Sequence, residues 1–300
     1  MDYFGILKKA YEITIKHRFL WIFAILAGGA GATWGMSFPS NSVSYSDKWD
    51  KYFNSVGQVQ LEHFWLNYWS AIAAIIGLIL AFSLVWLVLS TIAKGSLLGS
   101  VESIQKGQKF NFRLGFNFGW HKFWRILAVS ILVGLIIILS ILALILPVIL
   151  FVLAKVYALA VIYGILFFFF DLALWLYLRV MYPYIQRTAV LGDLGSWEAI
   201  ASSWSFFKKH FKDIAVIYLL LIAVSMVFGA GMLLVLLVLG GLLFAIGLAL
   251  YLASQMIFWL YVVSFGLIFL LLIIVLKGIF GAFNSSVLTL VYLELTRDKA

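Results

Sequence analysis

One carboxylate stands inside an otherwise uncharged run. Asp171 follows four phenylalanines at 167–170, and the next charge is Arg179. A carboxylate at the centre of a membrane-crossing helix costs roughly 2.5–3.5 kcal/mol on insertion scales. It is therefore expected to face other helices or water rather than lipid. Two kinds of chemistry fit such a group: it carries a proton or lines a polar path, or it makes an interhelical hydrogen bond that fixes packing. Arg179 lies eight residues on, near the same helical face but about 12 Å along the axis at 1.5 Å per residue. A direct pair within the helix is not expected, and Arg179 is expected to snorkel toward an interface. Gln255, Tyr261, Ser264 and Asn284 are the polar residues from which a partner for Asp171 could come.

The remaining chemistry is thin. The chain has no cysteine, which removes disulfides, thiolate nucleophiles and thiolate metal sites. The four histidines, His17, His63, His121 and His210, are scattered, and no pair has metal-ligand spacing. No phosphate-binding glycine loop, nucleophile elbow or dinucleotide fingerprint occurs. No metal, no cofactor and no enzymatic activity are expected.

A second pattern is basic and occurs three times. Residues 4–28, 112–134 and 197–224 each run from a basic, aromatic-rich segment into a long apolar stretch. The junctions carry Lys16-His17-Arg18, His121-Lys122 and Lys208-Lys209-His210. In the third copy Trp197, Ile200, Ala201, Trp204, Phe207 and Phe211 form one apolar stripe at helical spacing, with Ser196 as its N-cap and Glu198 in the first turn. In the first, Lys8, Lys9, Glu12 and Lys16 share a face opposite Tyr3, Phe4, Leu7, Tyr11 and Ile15. The second alternates like a strand from Phe110 to Trp120 and is read as a helix only by analogy with its sisters. Such helices lie in the membrane interface with lysines toward headgroups. Interfacial segments are expected at 2–17, 110–123 and 196–212. The headgroup-contacting candidates are Lys8, Lys9, Lys16, Arg18, Lys122, Arg125, Lys208, Lys209 and Lys212. They serve either as plain anchors or as a surface that reads anionic lipid.

These residues need helices to hold them, and composition says of what kind. The chain is 65% hydrophobic and 11% charged, too apolar for a water-soluble fold of its length. The expected fold is all-α, a polytopic transmembrane helical bundle with basic amphipathic helices on the cytoplasmic side. Six spans are expected at about 19–36, 64–93, 124–153, 157–182, 214–238 and 257–279, with an extracytoplasmic loop at 37–63. The stretch 214–276 has no charge and is read as two crossings, with 239–256 holding a turn, a re-entrant piece or the start of the sixth span. Pro147 is expected to kink or end the third. Of the 21 Lys and Arg, only Lys48, Lys51 and Lys155 then fall outside, which places both termini in the cytoplasm of a cell membrane. A cleaved leader is the rival reading of the first span, opposed by the patterned stretch ahead of it. The net charge of +9 is assigned to topology and anionic headgroups, not to nucleic acid. Ala27, Gly31 and Gly35, and likewise Gly95 and Gly99, read as close-packing ridges.

The opening Asp2-Tyr3-Phe4-Gly5-Ile6-Leu7-Lys8-Lys9-Ala10-Tyr11, followed by Lys16-His17-Arg18-Phe19-Leu20-Trp21-Ile22-Phe23, resembles the start of a broad group of uncharacterised prokaryotic six-helix membrane proteins. The run 191–205 and the ending Tyr292-Leu293-Glu294-Leu295 are similar to the same group. That group resembles the membrane domain fused to glycerophosphoryl diester phosphodiesterases. The resemblance implies a bundle of paired spans and no catalytic residues, because no room for the catalytic barrel follows residue 280. The expected function is non-enzymatic: a membrane scaffold or accessory factor, or a handler of lipid or amphipathic peptide at the cytoplasmic leaflet. The expected partners are anionic lipid headgroups and a further membrane protein. The alternative is a small transporter or permease with Asp171 in its path.

Overall fold

A computed structural model of the chain describes residues 1–28 and 58–297, with side chains throughout except at 58–67 and Ala253. Among the described residues there are nine helices and no strand: α1 (Tyr3–Lys16), α2 (Phe19–Leu26), α3 (Gln58–Gln105), α4 (Phe112–His121), α5 (Phe123–Leu153), α6 (Tyr157–Leu191), α7 (Ser196–Lys209), α8 (Phe211–Ala253) and α9 (Gln255–Arg297).

The threefold sequence pattern becomes a threefold structural one. Each repeat opens with an amphipathic helix of 14, 10 or 14 residues (α1, α4, α7). A one- or two-residue elbow follows, and then an apolar helix (α2, α5, α8). The elbows are His17-Arg18, Lys122 and His210. In each, the elbow amide (His17, Lys122 or His210) donates to the carbonyl four residues back, at 3.1 Å in all three. The elbow carbonyl in turn accepts from Leu20, Ile126 or Ile214 in the next helix, at 3.0–3.2 Å. The chain therefore changes direction without orphaning a backbone group, which an apolar medium penalises heavily. The Trp21 indole N–H reaches back across the first elbow to the Thr14 carbonyl at 2.8 Å.

Within the segment 110–123, Phe112–His121 is helical where its residues alternate like a strand. Gly115 and Gly119, four apart, form its buried face, and this lets α4 lie directly on α3. A Cβ on Gly119 would stand 2.2 Å from the Ile92 carbonyl oxygen, and one on Gly95 3.0 Å from Gly119 Cα. The α3 partner surface is Gly95, Ser96, Gly99 and Ser100, so this small-residue ridge packs within one chain. Phe112 of α4 stacks on Phe23 of α2 at 4.7 Å.

The packed core lies at one end of the molecule. It joins Ala10 and Ile13 of α1, Leu20 and Phe23 of α2, Leu97 and Val101 of α3, Tyr184 of α6, Phe206 of α7, Ile214 and Ile217 of α8, and residues 282–295 of α9. A second cluster adds Val129 and Val133 of α5 against Met181, Ile185 and Ala189 of α6. Beyond this end the long helices run on as apolar arms. Among the described residues five helices are long and apolar enough to cross a membrane, and their most apolar stretches bury at most 6% of their residues. The chain is thus a multi-pass membrane protein by length and composition. Its arms have the lipid-facing character of a helix hydrophobic all round.

Several boundaries differ from expectation. Helix α2 stops at Leu26, and Gly28 takes a left-handed φ of 72°. Eight residues rise only about 12 Å, so α2 alone does not cross, and 29–36 of the expected first span lie outside the described residues, as do Gly31, Gly35 and 37–57 of the expected loop. Residues 58–63 of that loop are helical. The 64–93, 157–182 and 257–279 spans are each part of a longer helix because the same helices continue into the packed core, whereas α8 extends the 214–238 span away from the core, to Ala253. The connection in 239–256 is a turn at Ser254, and Gly240-Gly241 is helical. Helix α5 continues through Pro147 to Leu153. The N-cap of α7 is Gly195, one residue before Ser196, and its amide donates to Glu198 Oε2 at 3.4 Å. Ala10 and Leu295 share one cluster, so both described ends of the chain sit at the packed end.

Candidate functional site

The basic candidates gather at the packed end, where three elbows come together with different surroundings. Lys8, Lys9, Lys16 and Arg18 are exposed around the first, and Lys208, Lys209 and Lys212 around the third. The aromatic residues beside them are exposed too: Phe4 and Tyr11 on α1, Phe112 and Trp120 on α4, Trp197 and Trp204 on α7. The face of α7 that enters the core is Ala199, Ser203 and Phe206. The stripe from Trp197 to Phe211 is divided: Ile200 and Phe207 pack against the core, while Trp197, Ala201 and Trp204 remain exposed and Phe211, also exposed, lies past the elbow in α8. Lys208 lies over the Trp204 ring at 4.6 Å.

At the second elbow Lys122 and Arg125 both pair with one carboxylate, that of Asp193 in the α6–α7 loop. Hydrogen bonding from Lys122, then the charges of Lys122 and Arg125, hold the Asp193 carboxyl below the usual carboxylate range. At the third, Tyr3 of α1 donates to Asp213 Oδ1 at 2.6 Å, and His210 Nδ1 stands 4.0 Å from Asp213 Oδ2. That hydrogen bond pushes the Tyr3 hydroxyl up, and it clasps the first repeat to the third. At the first elbow a groove of about 500 Å³ opens between the end of α1 and the α3–α4 loop, with Lys16 and Lys109 in its wall.

Asp171 and Arg179 are not brought together. Both Asp171 carboxylate oxygens are shielded and have no hydrogen-bond partner among the described residues. Arg179 instead lies over the Trp175 ring at 4.9 Å. Among the described residues no group of three His, Asp or Glu side chains comes together as a metal would need.

Arg187 is the residue whose position the sequence conceals. By sequence it is one more basic residue of the cytoplasmic side, yet it is 3% exposed. Its Nε donates to Thr289 Oγ1 at 3.2 Å, one terminal nitrogen to the Pro183 carbonyl at 2.7 Å and the other to the Ser285 carbonyl at 3.0 Å. All three acceptors are neutral. Tyr184, Tyr218 and Tyr292 surround it, and the buried Tyr184 hydroxyl has no partner among the described residues. A fully buried cation without a carboxylate is costly unless its hydrogen bonds are complete. Thr188 beside it accepts from Ser203 of α7 at 3.0 Å, so this end of α6 ties α7 and α9 together.

The model of a family of unknown function, DUF7544, matches residues 17–293 of the chain. The chain belongs to that family. The match begins at the first elbow and ends in the last turns of α9, so it takes in the second and third repeats and the first from its elbow onward. No curated protein and no solved structure matches the chain. The family match brings no tie to the glycerophosphoryl diester phosphodiesterases that the opening and closing motifs resemble.

Proposed function

We propose that this protein is a non-enzymatic membrane scaffold that holds anionic lipid at its packed end, with that end in the cytoplasm of the cell membrane. One observation carries the reading. Every described Lys and Arg except Lys155 lies on a segment of the packed end, most of them exposed there with exposed aromatic side chains on the same segments, while the apolar arms beyond it bury almost nothing. From Val133, the last core residue of α5, to Lys155 in the turn is 22 residues, or about 33 Å. That matches one hydrocarbon thickness of about 30 Å, and Lys155 then emerges on the opposite face. A lopsided charge distribution of this kind is what retains a segment on the cytoplasmic side. A basic, aromatic collar is what gathers acidic headgroups.

The absence of cysteine makes the orientation directly testable. Single cysteines at Lys155 and at Lys209 should be labelled from opposite sides of intact cells by an impermeant maleimide, Lys155→Cys from outside. Labelling of Lys209→Cys from outside refutes the orientation. Native mass spectrometry of the detergent-solubilised chain with equimolar phosphatidylglycerol and phosphatidylcholine should retain the anionic lipid preferentially. Equal retention refutes the lipid reading.

Asp171 supports a second reading, transport, because its shielded oxygens lack a partner. On that reading Asp171→Asn abolishes a proton-coupled flux in proteoliposomes while folding is unchanged. Unaltered flux leaves Asp171 a packing residue.

A further inference from the structure

The elbows are built alike and differ in what faces their cations. In the second repeat, the loop that follows the returning helix α6 supplies Asp193 to Lys122 and Arg125. Asp193 is the second residue past the end of α6 and has a left-handed φ of 57°. In the first repeat the loop that follows the returning helix α3 meets the first elbow in the same manner. Its second residue past the helix is Gly107, also left-handed, with φ 75°. Gly107 thus holds in repeat one the place that Asp193 holds in repeat two, and it has no carboxylate to offer.

What stands there instead is the groove of about 500 Å³, lined by Lys16, His17, Gly107, Gln108, Lys109 and Asn111. Neither Lys16 nor Lys109 has a carboxylate within ion-pair distance among the described residues, since Glu102 on the same loop's helix is taken by Lys106 at 2.7 Å. Nothing lies within 4 Å of where a Gly107 Cβ would be. The two ammonium groups are donors with no acceptor of their own, and the amides of Gln108 and Asn111 can add N–H donors beside them, a set that suits a phosphate's oxygens.

We propose that this groove binds a phosphate group, that of an anionic phospholipid headgroup, where the second repeat uses its own Asp193. The proposal rests on the lipid-holding reading above and gives it an address. Ile104 and Phe110 also line the groove, and the exposed Phe112 and Trp120 follow on α4. These offer acyl chains an apolar approach that free phosphate would not use.

The test uses the full chain in detergent and native mass spectrometry with phosphatidylglycerol, phosphatidylcholine and, separately, inorganic phosphate. Gly107→Asp installs the carboxylate of repeat two, and Asp is among the few residues that tolerate a left-handed φ. It should lower phosphatidylglycerol retention roughly tenfold, and so should Lys16→Gln with Lys109→Gln, which removes two charge-assisted contacts from exposed positions. Asp193→Gly should open the second elbow and add one bound phosphatidylglycerol. If Gly107→Asp fails to fold, the lysine pair carries the test. A wild-type preference for the anionic lipid that survives both variants overturns the groove and leaves the broader reading standing. No preference in the wild type overturns both. Retention of inorganic phosphate that is as strong as that of phosphatidylglycerol, and lost in both variants, keeps the groove and overturns the choice of a lipid source.

Discussion

Arg187 offers the sharpest test of how the packed end is held. Arg187→Lys keeps a buried positive charge but replaces a planar fork by a single point charge. It cannot reach Thr289 Oγ1, the Pro183 carbonyl and the Ser285 carbonyl together, because these come from two helices and three directions. Losing one or two hydrogen bonds to a charged group, at about 1.5–3 kcal/mol each, while keeping the desolvated charge predicts a loss of roughly 2–5 kcal/mol. Arg187→Met removes the charge and its desolvation together. It strands little, because the Ser285 carbonyl still accepts from Thr289 Oγ1 at 2.8 Å, and the Pro183 carbonyl faces the amide of residue 187 within α6. Replacing buried ions by apolar residues of similar volume is often neutral or stabilising. The expected order of stability is therefore wild type and Met close together, with Lys lowest. Thermal unfolding in detergent, followed by the fluorescence of the 12 tryptophans, reads that order directly. At roughly 2 °C per kcal/mol for a chain of this size, the Lys variant should melt at least about 4 °C lower. If Lys is tolerated and Met collapses, the site needs the charge itself, and the hydrogen-bond argument is wrong.

Gly119→Ala should destabilise by about 1–3 kcal/mol, because its Cβ would sit 2.2 Å from a backbone oxygen of α3. Gly229→Ala, with nothing within 4 Å, should be neutral or stabilising by up to about 1 kcal/mol, and the pair of melting temperatures measures the difference. Asp193 supplies an acid-dependent element. Its carboxyl is held below the usual range in the folded chain, so its contribution is present above the unfolded value near 4 and is lost as pH falls through the lower folded value. Melting curves of wild type and Asp193→Asn should therefore converge in acid and separate slightly toward pH 7. A gap that widens in acid would contradict the assigned pairing.

Much of this protein was legible from composition and period alone. Burying 65% apolar residues in 300 demands lipid, and the 3.6-residue period that starts at Trp197 survives as α7 up to Lys209 because helical hydrogen bonding is local. The basic junctions were legible for the same reason: an elbow needs only its own few residues. What composition could not reveal is where helices end and what meets at the elbows. Apolarity fades at the expected span ends, but α3, α6 and α9 run on into a core whose Ser, Thr and Asn residues look like surface in one dimension. The alternating aromatics of α4 hid a glycine face that has meaning only against α3. Arg187 read as one cation among many until α9 supplied its acceptors from about a hundred residues away. Asp193 and Gly107 became comparable only once two loops were seen to meet two elbows. Local period and composition fix which segments are helices in a membrane. Which charge is buried, which is answered and which is left open depends on contacts between distant segments, and the tertiary structure alone decides them.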